Sequence, residues 1–262
     1  MRITIASYSF HGLRAEGRMD VFGYLESVRY RYGLQTADIW NGLLGDDPDQ
    51  YLSKDFLRKV KQALAEREMV LVNYHVDGVH IWEDDLEARE SNYRNALAHL
   101  EAAEYLGAKT VRIDTGGRDL KMTPEQFDTI VTRYREYCRR GEAGGFRVGP
   151  ETHWGPELSP DNMVRIAEAV GSPAYGILLH LGHWDVGDEA ENDKRVAPWT
   201  MHTHVDARIT ATGLEERMKG LLDAGYEGHW GVEHHTAQNE YREVAWQLAS
   251  VQRALSRLQP AE

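Results

Sequence analysis

The chain alternates short apolar runs with longer amphipathic stretches. The apolar runs are rich in Val, Ile and Leu, which is typical of strands that are covered on both faces. They predict eight β-strands, at Ile3–Ser9, Gly33–Trp40, Val70–His75, Thr110–Asp114, Phe146–Glu151, Gly176–His180, Thr200–His204 and His229–Glu233. Apolar positions three and four residues apart predict helices between them, at Val21–Tyr32, Lys54–Arg67, Leu86–Leu106, Pro124–Arg140, Ser159–Val170, Leu214–Ala224 and Glu240–Leu258.

Residues at the helix ends support these boundaries. Thr123 followed by Pro124 is a typical helix start, and Gly107 and Gly225 follow helices where a left-handed residue is favoured. The polar stretches Asp46–Gln50 and Asp185–Lys194 are predicted to be loops. The helix after the sixth strand is therefore expected to be short or absent.

The order of these elements predicts the fold class. Alternating strands and helices imply right-handed crossovers and a parallel sheet. Eight such units in 262 residues suit a single α/β domain over residues 1–262, a parallel eight-stranded (β/α)8 TIM barrel. A doubly wound open sheet is the alternative, but no Gly-x-Gly-x-x-Gly turn follows the first strand.

Composition excludes several classes of partner. The formal net charge of −12 disfavours general binding to nucleic acid, because such a surface repels phosphate groups. One cysteine, Cys138, cannot form an internal disulfide framework. The first residues read as a strand rather than a signal peptide, and no apolar run approaches the length of a membrane span. We therefore expect a cytoplasmic protein without a membrane partner.

The candidate chemistry lies where four predicted strands end. Seven of the 12 histidines fall in four short segments that also hold two glutamates. The segments are Val148-Gly149-Pro150-Glu151-Thr152-His153, Leu178-Leu179-His180-Leu181-Gly182-His183, Met201-His202-Thr203-His204-Val205-Asp206 and Gly231-Val232-Glu233-His234-His235. The carboxyl ends of barrel strands form the active site of such a fold. The pattern therefore predicts a metal or proton-transfer site there.

Individual roles follow from residue type. Glu151 and Glu233 could each bind a divalent cation with one oxygen and exchange a proton with the other, so both are candidate metal ligands and catalytic acid/base groups. His180 ends its strand as a candidate ligand, and His183, three residues later, is better placed for substrate.

The seventh strand offers more than one candidate. His202, His204 and Asp206 share one face because strand side chains alternate, and we expect only one histidine to bind the primary metal. Arg208 could hold a hydroxyl pair, carboxylate or phosphate of the substrate. Further residues expected around the same opening, several as substrate contacts, are His75, His80, His153, Trp184, Tyr8, Phe10, Trp40, Asp114 and Trp154. Aromatic walls with few polar groups suit a sugar ring or polyol chain.

These motifs resemble the xylose-isomerase-like (β/α)8 superfamily of sugar isomerases and epimerases over nearly the whole chain. Glu151-Thr152-His153 is similar to the Glu-x-His that ends the family's strand 5, and His180-Leu181-Gly182-His183 parallels its Asp-x-x-His. The family's strand 7 carries a histidine before an acidic residue, and its strand 8 ends in a metal-binding glutamate like Glu233.

The resemblance implies a divalent ion held by Glu151, His180, a strand 7 histidine and Glu233. Manganese is expected first, with Co²⁺, Zn²⁺, Fe²⁺ or Mg²⁺ as alternatives. Histidine replaces the family's aspartate at position 180, and a two-histidine, two-glutamate set should favour the transition metals over magnesium. Counting back from Arg208 selects His202 as the strand 7 ligand. The family's more general His-x-His-x-x-Asp pattern, matched with one residue missing before Asp206, selects His204. We slightly prefer His204 and retain both.

The leading hypothesis is a metal-dependent isomerase or epimerase of a keto-sugar, polyol or related carbohydrate, which works by proton abstraction and a metal-stabilised ene-diolate. A metal-dependent lyase on the same scaffold, either a dehydratase or an enzyme that eliminates a glycosidic bond, is the alternative. A DNA-repair endonuclease of the same superfamily would need more ligands and a basic surface. A barrel that only binds sugar, without metal, is a further alternative. Whether the protein forms a homo-oligomer stays open.

Overall fold

Parallel strands and helices alternate along the chain in a computed structural model that describes residues 1–259. The last three residues of the predicted single domain lie outside this range. The strands are β1 Ile3–Ile5, β2 Thr36–Trp40, β3 Val70–Val76, β4 Thr110–Ile113, β5 Arg147–Gly149, β6 Ile177–His180, β7 Thr200–Val205 and β8 Trp230–Val232. The α-helices are α1 His11–Ala15, α2 Val21–Glu26, α3 Pro48–Tyr51, α4 Lys54–Glu66, α5 Leu86–Leu106, α6 Pro124–Gly144, α7 Pro160–Val170, α8 Glu189–Val196, α9 Ala207–Thr212, α10 Leu214–Asp223 and α11 Glu240–Leu258. Among these described helices, none is long and apolar enough to cross a membrane.

The strands surround a common axis. They form two four-stranded parallel sheets, with the orders β1-β8-β7-β6 and β2-β3-β4-β5. An isolated parallel bridge between Ala6 and Asp38 joins β1 to β2. At the other junction, Val148 at β5 bridges to Tyr175, just before β6. Each strand therefore has a neighbour on both sides, and the parallel eight-stranded α/β barrel predicted from the sequence is confirmed.

The helix ends agree with their sequence signals. The Thr123 side chain accepts a hydrogen bond from the backbone N–H of Gln126, and Pro124 occupies the first turn of α6. Gly107 and Gly225 have φ angles of 79° and 87°, the left-handed conformation that glycine adopts without strain. These local signals were sufficient because capping depends on neighbouring residues only.

The two stretches predicted as loops contain helices, and this prediction was wrong. Pro48–Tyr51 forms one turn, and Glu189–Val196 forms a two-turn helix. The Asp188 side chain accepts hydrogen bonds from two backbone N–H groups of α8, which has Glu189 and Glu191 in its first turn and Lys194 and Arg195 in its last. Capping and the helix dipole thus stabilise a polar helix that apolar periodicity does not reveal. The first strand also ends early, at Ile5, because Ser7–Phe10 turns into a 3₁₀ helix.

The barrel interior is held by hydrogen bonds between polar side chains rather than by the usual layers of branched apolar residues. The Asn73 amide donates to Asp38 at 2.8 Å, and the Thr110 hydroxyl donates to Asn73 at 2.8 Å. From the opposite wall, Nε2 of His202 lies 2.7 Å from Oδ2 of Asp38. Since buried polar groups are costly unless paired, this network specifies how the strands meet beneath the active face.

Outside the barrel, a buried histidine predicts how stability depends on pH. His99 on α5 lies 2.7 Å from the Tyr74 hydroxyl, and burial lowers its pKa from 6.5 to about 4. Because the unfolded chain takes up this proton more readily, the stability that neutral His99 contributes is complete above pH 6.5 and is lost as the pH falls toward about 4. The loss should reach about 3 kcal/mol.

Urea unfolding of the wild type and His99→Gln tests this expectation. The gap between their free energies of unfolding should narrow steadily from about pH 7 to about pH 4.5. Comparing the two proteins removes the contribution of the other buried histidines, which both share. A gap that stays constant over this range would contradict the assignment.

Candidate metal centre

A cavity of about 430 Å³ opens at the carboxyl ends of the strands. Its lining residues lie near the ends of seven of the eight strands or shortly after them, because parallel strands bring their carboxyl ends to one face. They are Tyr8, Trp40, His75, Asp77, Arg112, Glu151, His153, Trp154, His180, His183, Glu233 and His235. The cavity thus collects most of the residues that the sequence singled out.

Four buried side chains converge at the floor of this cavity. Glu151, His180, His204 and Glu233 each offer one ligand atom, and the four atoms lie within 4.8 Å of one another. Nδ1 of His204 lies 3.1 Å from Oε1 of Glu151 and 3.3 Å from Oε2 of Glu233. Nδ1 of His180 lies 3.3 Å and 3.5 Å from the same two oxygens. Two imidazole nitrogens and two carboxylate oxygens are therefore directed at one point.

The second ring nitrogen of His204 is also held. Nε2 of His204 lies 3.2 Å from Oδ2 of Asp38, so the ring bridges the glutamates and the interior network. A histidine that binds a metal usually has its other nitrogen fixed by a carboxylate in this way. His202 also contacts Asp38, from the deeper layer of the barrel, but it is not among the four residues that converge at the cavity floor. Of the two strand 7 candidates, the geometry groups His204 with the other three residues.

This donor set fits a divalent cation. The two glutamates are buried close together, an arrangement that only positive charge makes favourable. Burial opposes their ionisation, but the charge of His204 and hydrogen bonds from neighbouring histidines hold both pKa values well below the ordinary range. The floor of the cavity thus presents two ionised carboxylates and two nitrogen donors, a set that suits a transition metal.

Arg112, which the sequence did not single out, and Asp114, which it did, organise Glu151. Nε of the buried Arg112 lies 3.2 Å from Oε2 of Glu151, and its Nη1 lies 2.6 Å from Asp77 and 3.0 Å from Asp114. Asp114 in turn accepts the backbone N–H of Glu151 at 3.0 Å. One oxygen of Glu151 therefore faces Arg112 while the other faces the histidines.

A signal for the missed residues exists in the sequence. Asp38 and Arg112 interrupt otherwise apolar strands, in Thr36-Ala37-Asp38-Ile39-Trp40 and Thr110-Val111-Arg112-Ile113. A charged residue inside a strand that is covered on both faces must point into the barrel and needs a charged partner there. Which partner it meets depends on strands that are distant in sequence.

Several predicted substrate contacts reach the cavity. His75, His153 and His183 line it, and a contact at Nδ1 orients each of the last two. Nδ1 of His153 lies 3.2 Å from Asp114, and Nδ1 of His183 lies 2.9 Å from the carbonyl oxygen of Thr152. At the end of strand 8, His235 lines the cavity, with its Nε2 2.9 Å from Glu233.

Arg208 and Trp184 lie outside the lining of this cavity, as do His80, Phe10 and Asp114 from the wider set expected around the opening. Arg208 forms an ion pair with Glu189 at 2.9 Å and donates to the carbonyl oxygen of Gly182 at 2.9 Å. Trp184 is buried, and its indole N–H donates to Asp193 at 2.8 Å. Both side chains tie the loop after β6 to α8, the short helix that begins within the stretch predicted to be a loop.

Comparison with known families agrees with the geometry. Residues 31–254 match the family described as xylose isomerase-like TIM barrel. The chain belongs to this family. The resemblance inferred from the strand-end motifs is thereby confirmed.

Solved structures show the same fold at low sequence identity. The 3-keto-D-glucoside 4-epimerase YcjR from E. coli superposes with a TM-score of 0.73 and 13% identity, covering 100% of both chains. D-psicose 3-epimerase from Clostridium cellulolyticum H10 gives 0.69 and 14%, covering 92% of this chain and 93% of that one. The probable 3-DHS dehydratase AsbF from Bacillus anthracis gives 0.73 and 14%, covering 96% and 99%. Curated protein sequences give no significant match.

Proposed function

We propose that the protein is a metal-dependent isomerase or epimerase that acts on a keto-sugar, a polyol or a related small carbohydrate. One observation carries this proposal: Glu151 and Glu233 enter the same cavity from strands β5 and β8, and both contact the same pair of histidines. Two ionised carboxylates beside one cavity can remove a proton from a substrate carbon and return one to it.

The ion would be held by Glu151, His180, His204 and Glu233. When bound, it would supply positive charge that polarises the carbonyl and hydroxyl oxygens of the substrate. Mn²⁺ is the first candidate. Because the set contains two nitrogen donors, Co²⁺, Zn²⁺ and Fe²⁺ also suit this site better than Mg²⁺ does. Asp38 would keep His204 in the orientation that presents Nδ1 to the cavity.

The remaining lining residues bind and orient the sugar. Tyr8 and Trp40 form an aromatic wall, with ring centroids 5.2 Å apart, against which the apolar face of a sugar ring can pack. On the other side, Trp154 stacks on His153 with a centroid distance of 4.0 Å. His183 and His235 offer ring nitrogens beside the glutamates, where they can exchange hydrogen bonds with substrate hydroxyls.

A lyase remains the second candidate, because three histidines that line the cavity could pass a proton to a leaving hydroxyl or glycosidic oxygen. They are His153, His183 and His235. Proton removal by a glutamate would be common to both reactions. The two differ in the product, since elimination releases water or an aglycone and isomerisation releases neither.

Proton exchange in heavy water tests the proposal and separates the two reactions. With Mn²⁺ and keto-sugars supplied, we expect one isomer to convert into another with deuterium incorporated at the reacting carbon, visible by NMR. An unsaturated or dehydrated product would favour the lyase instead. No exchange with any keto-sugar or polyol, from protein shown to contain metal, would overturn the proposed function.

A further inference from the structure

A second cavity adjoins the metal centre. Its volume is about 390 Å³, close to the 430 Å³ of the first, and both share Trp40 and Asp77 in their walls. Cavities of this size hold small ligands. The space at the carboxyl face is thus divided into two compartments of similar size rather than one.

The dividing wall is fixed in place. The indole N–H of Trp40 donates to Asp77 at 2.7 Å, and Arg112 binds the other Asp77 oxygen at 2.6 Å. The side chain of Asn41 pairs with the backbone of Asp77, accepting its N–H at 2.9 Å. A Cβ at Gly42 would collide with the indole, so the ring rests directly on this backbone. These contacts tie the ends of β2 and β3 together and hold the indole between the compartments.

The two compartments differ in chemistry. Among the described residues, the lining of the second cavity contains none of the four candidate metal ligands. It offers hydrogen-bonding groups from Arg14, Asp46 and Asn95, beside apolar carbon from Pro48 and Leu52. Arg14 pairs with Asp46, so this cation already has an anionic partner. Such a lining suits recognition of a neutral, hydroxyl-bearing group rather than catalysis.

We propose that the second cavity is a subsite for a second neutral sugar unit, so that the substrate is a glycoside rather than a free monosaccharide. The inference rests on the proposed function and adds the substrate class to it. The reacting ring would lie over the two glutamates, and the glycosidic bond would pass Trp40 and Asp77. Trp40 can contact both units, since this residue lines both cavities.

Binding of matched sugars tests the subsite. Isothermal titration calorimetry of the Mn²⁺-supplied protein would compare D-fructose with turanose, lactulose and isomaltulose, which carry a second ring on different fructose oxygens. At least one disaccharide should bind about tenfold more tightly than D-fructose, a difference of about 1.4 kcal/mol in binding free energy.

A filling variant localises the effect. Asn95 lies on the exposed side of α5 and lines the second cavity alone, so Asn95→Phe should obstruct it without touching the metal centre. The affinity of this variant for the disaccharide should fall to its affinity for D-fructose. Its affinity for D-fructose should equal that of the wild type. Arg94→Phe, one residue earlier and outside both linings, is the control that should retain the preference. Thermal melting checks that both variants fold.

The outcomes are distinct. Equal binding of D-fructose and all three disaccharides by the wild type would overturn the subsite while leaving the proposed function intact. A disaccharide preference that survives Asn95→Phe in a folded variant would place the second unit elsewhere and also overturn it. Failure of D-fructose and all three disaccharides to bind would overturn the subsite, and the exchange experiment with keto-sugars and polyols then decides separately whether the proposed function also fails. If Asn95→Phe does not fold, the wild-type comparison still decides.

Discussion

Glu151→Gln and Glu233→Gln should each lower kcat/KM for the accepted carbohydrate by about 10³-fold, the usual contribution of a positioned acid/base group. Glutamine preserves the size of the side chain but cannot accept a proton at these positions. Both carboxylates are buried and face the same two histidines, so no other carboxylate in the described cluster can replace them. Steady-state kinetics, with metal content measured on the same samples, separates lost proton transfer from lost metal.

The two glutamates should differ in deuterium exchange. The variant that lacks the base for one isomer should no longer exchange the proton of that isomer for deuterium. It should still exchange some of the proton of the other isomer. Glu125→Gln, an exposed glutamate that pairs with Arg89, is the surface control and should retain full activity. Near-normal turnover by either buried variant, with metal still bound, would exclude that glutamate as an acid/base group.

Substitution of His180 should have the second large effect, on metal content. We expect about one equivalent of a transition metal in the wild type, and less than about one tenth of that in His180→Ala, because three ligands remain where four converged. His180→Asp should retain a metal but shift the preference toward Mg²⁺, since an oxygen donor replaces a nitrogen donor. Elemental analysis of untagged protein after exposure to a metal mixture measures both results.

His183→Ala is the matched control. His183 follows His180 by three residues and lines the same cavity, but Nδ1 of its ring faces the Thr152 carbonyl oxygen and it is not part of the four-residue cluster. The metal content of His183→Ala should therefore be close to that of the wild type. Normal metal in His180→Ala would exclude this histidine as a ligand, and no metal in the supplemented wild type would contradict the metal-dependent mechanism.

The sequence by itself determined the fold class and most of the cavity lining. Strand and helix periodicity depends on neighbouring residues, and residues that end parallel strands must meet at one face of a barrel. Glu151, His180 and Glu233 could therefore be assigned to one site without coordinates. The α8 helix was missed because its stability comes from the Asp188 cap and terminal charges rather than from an apolar stripe.

Only the tertiary structure decided which residues pair across the barrel. His202 and His204 are equivalent by strand alternation, and both contact Asp38 on the opposite wall, but His204 also contacts Glu151 and Glu233, and only the closed barrel places these glutamates beside it. The tertiary structure likewise decides that Arg112 contacts Glu151 and that Trp40 lies between two cavities. Such contacts join strands far apart in the chain, and their geometry depends on the closure of the barrel, which local patterns of residues do not specify.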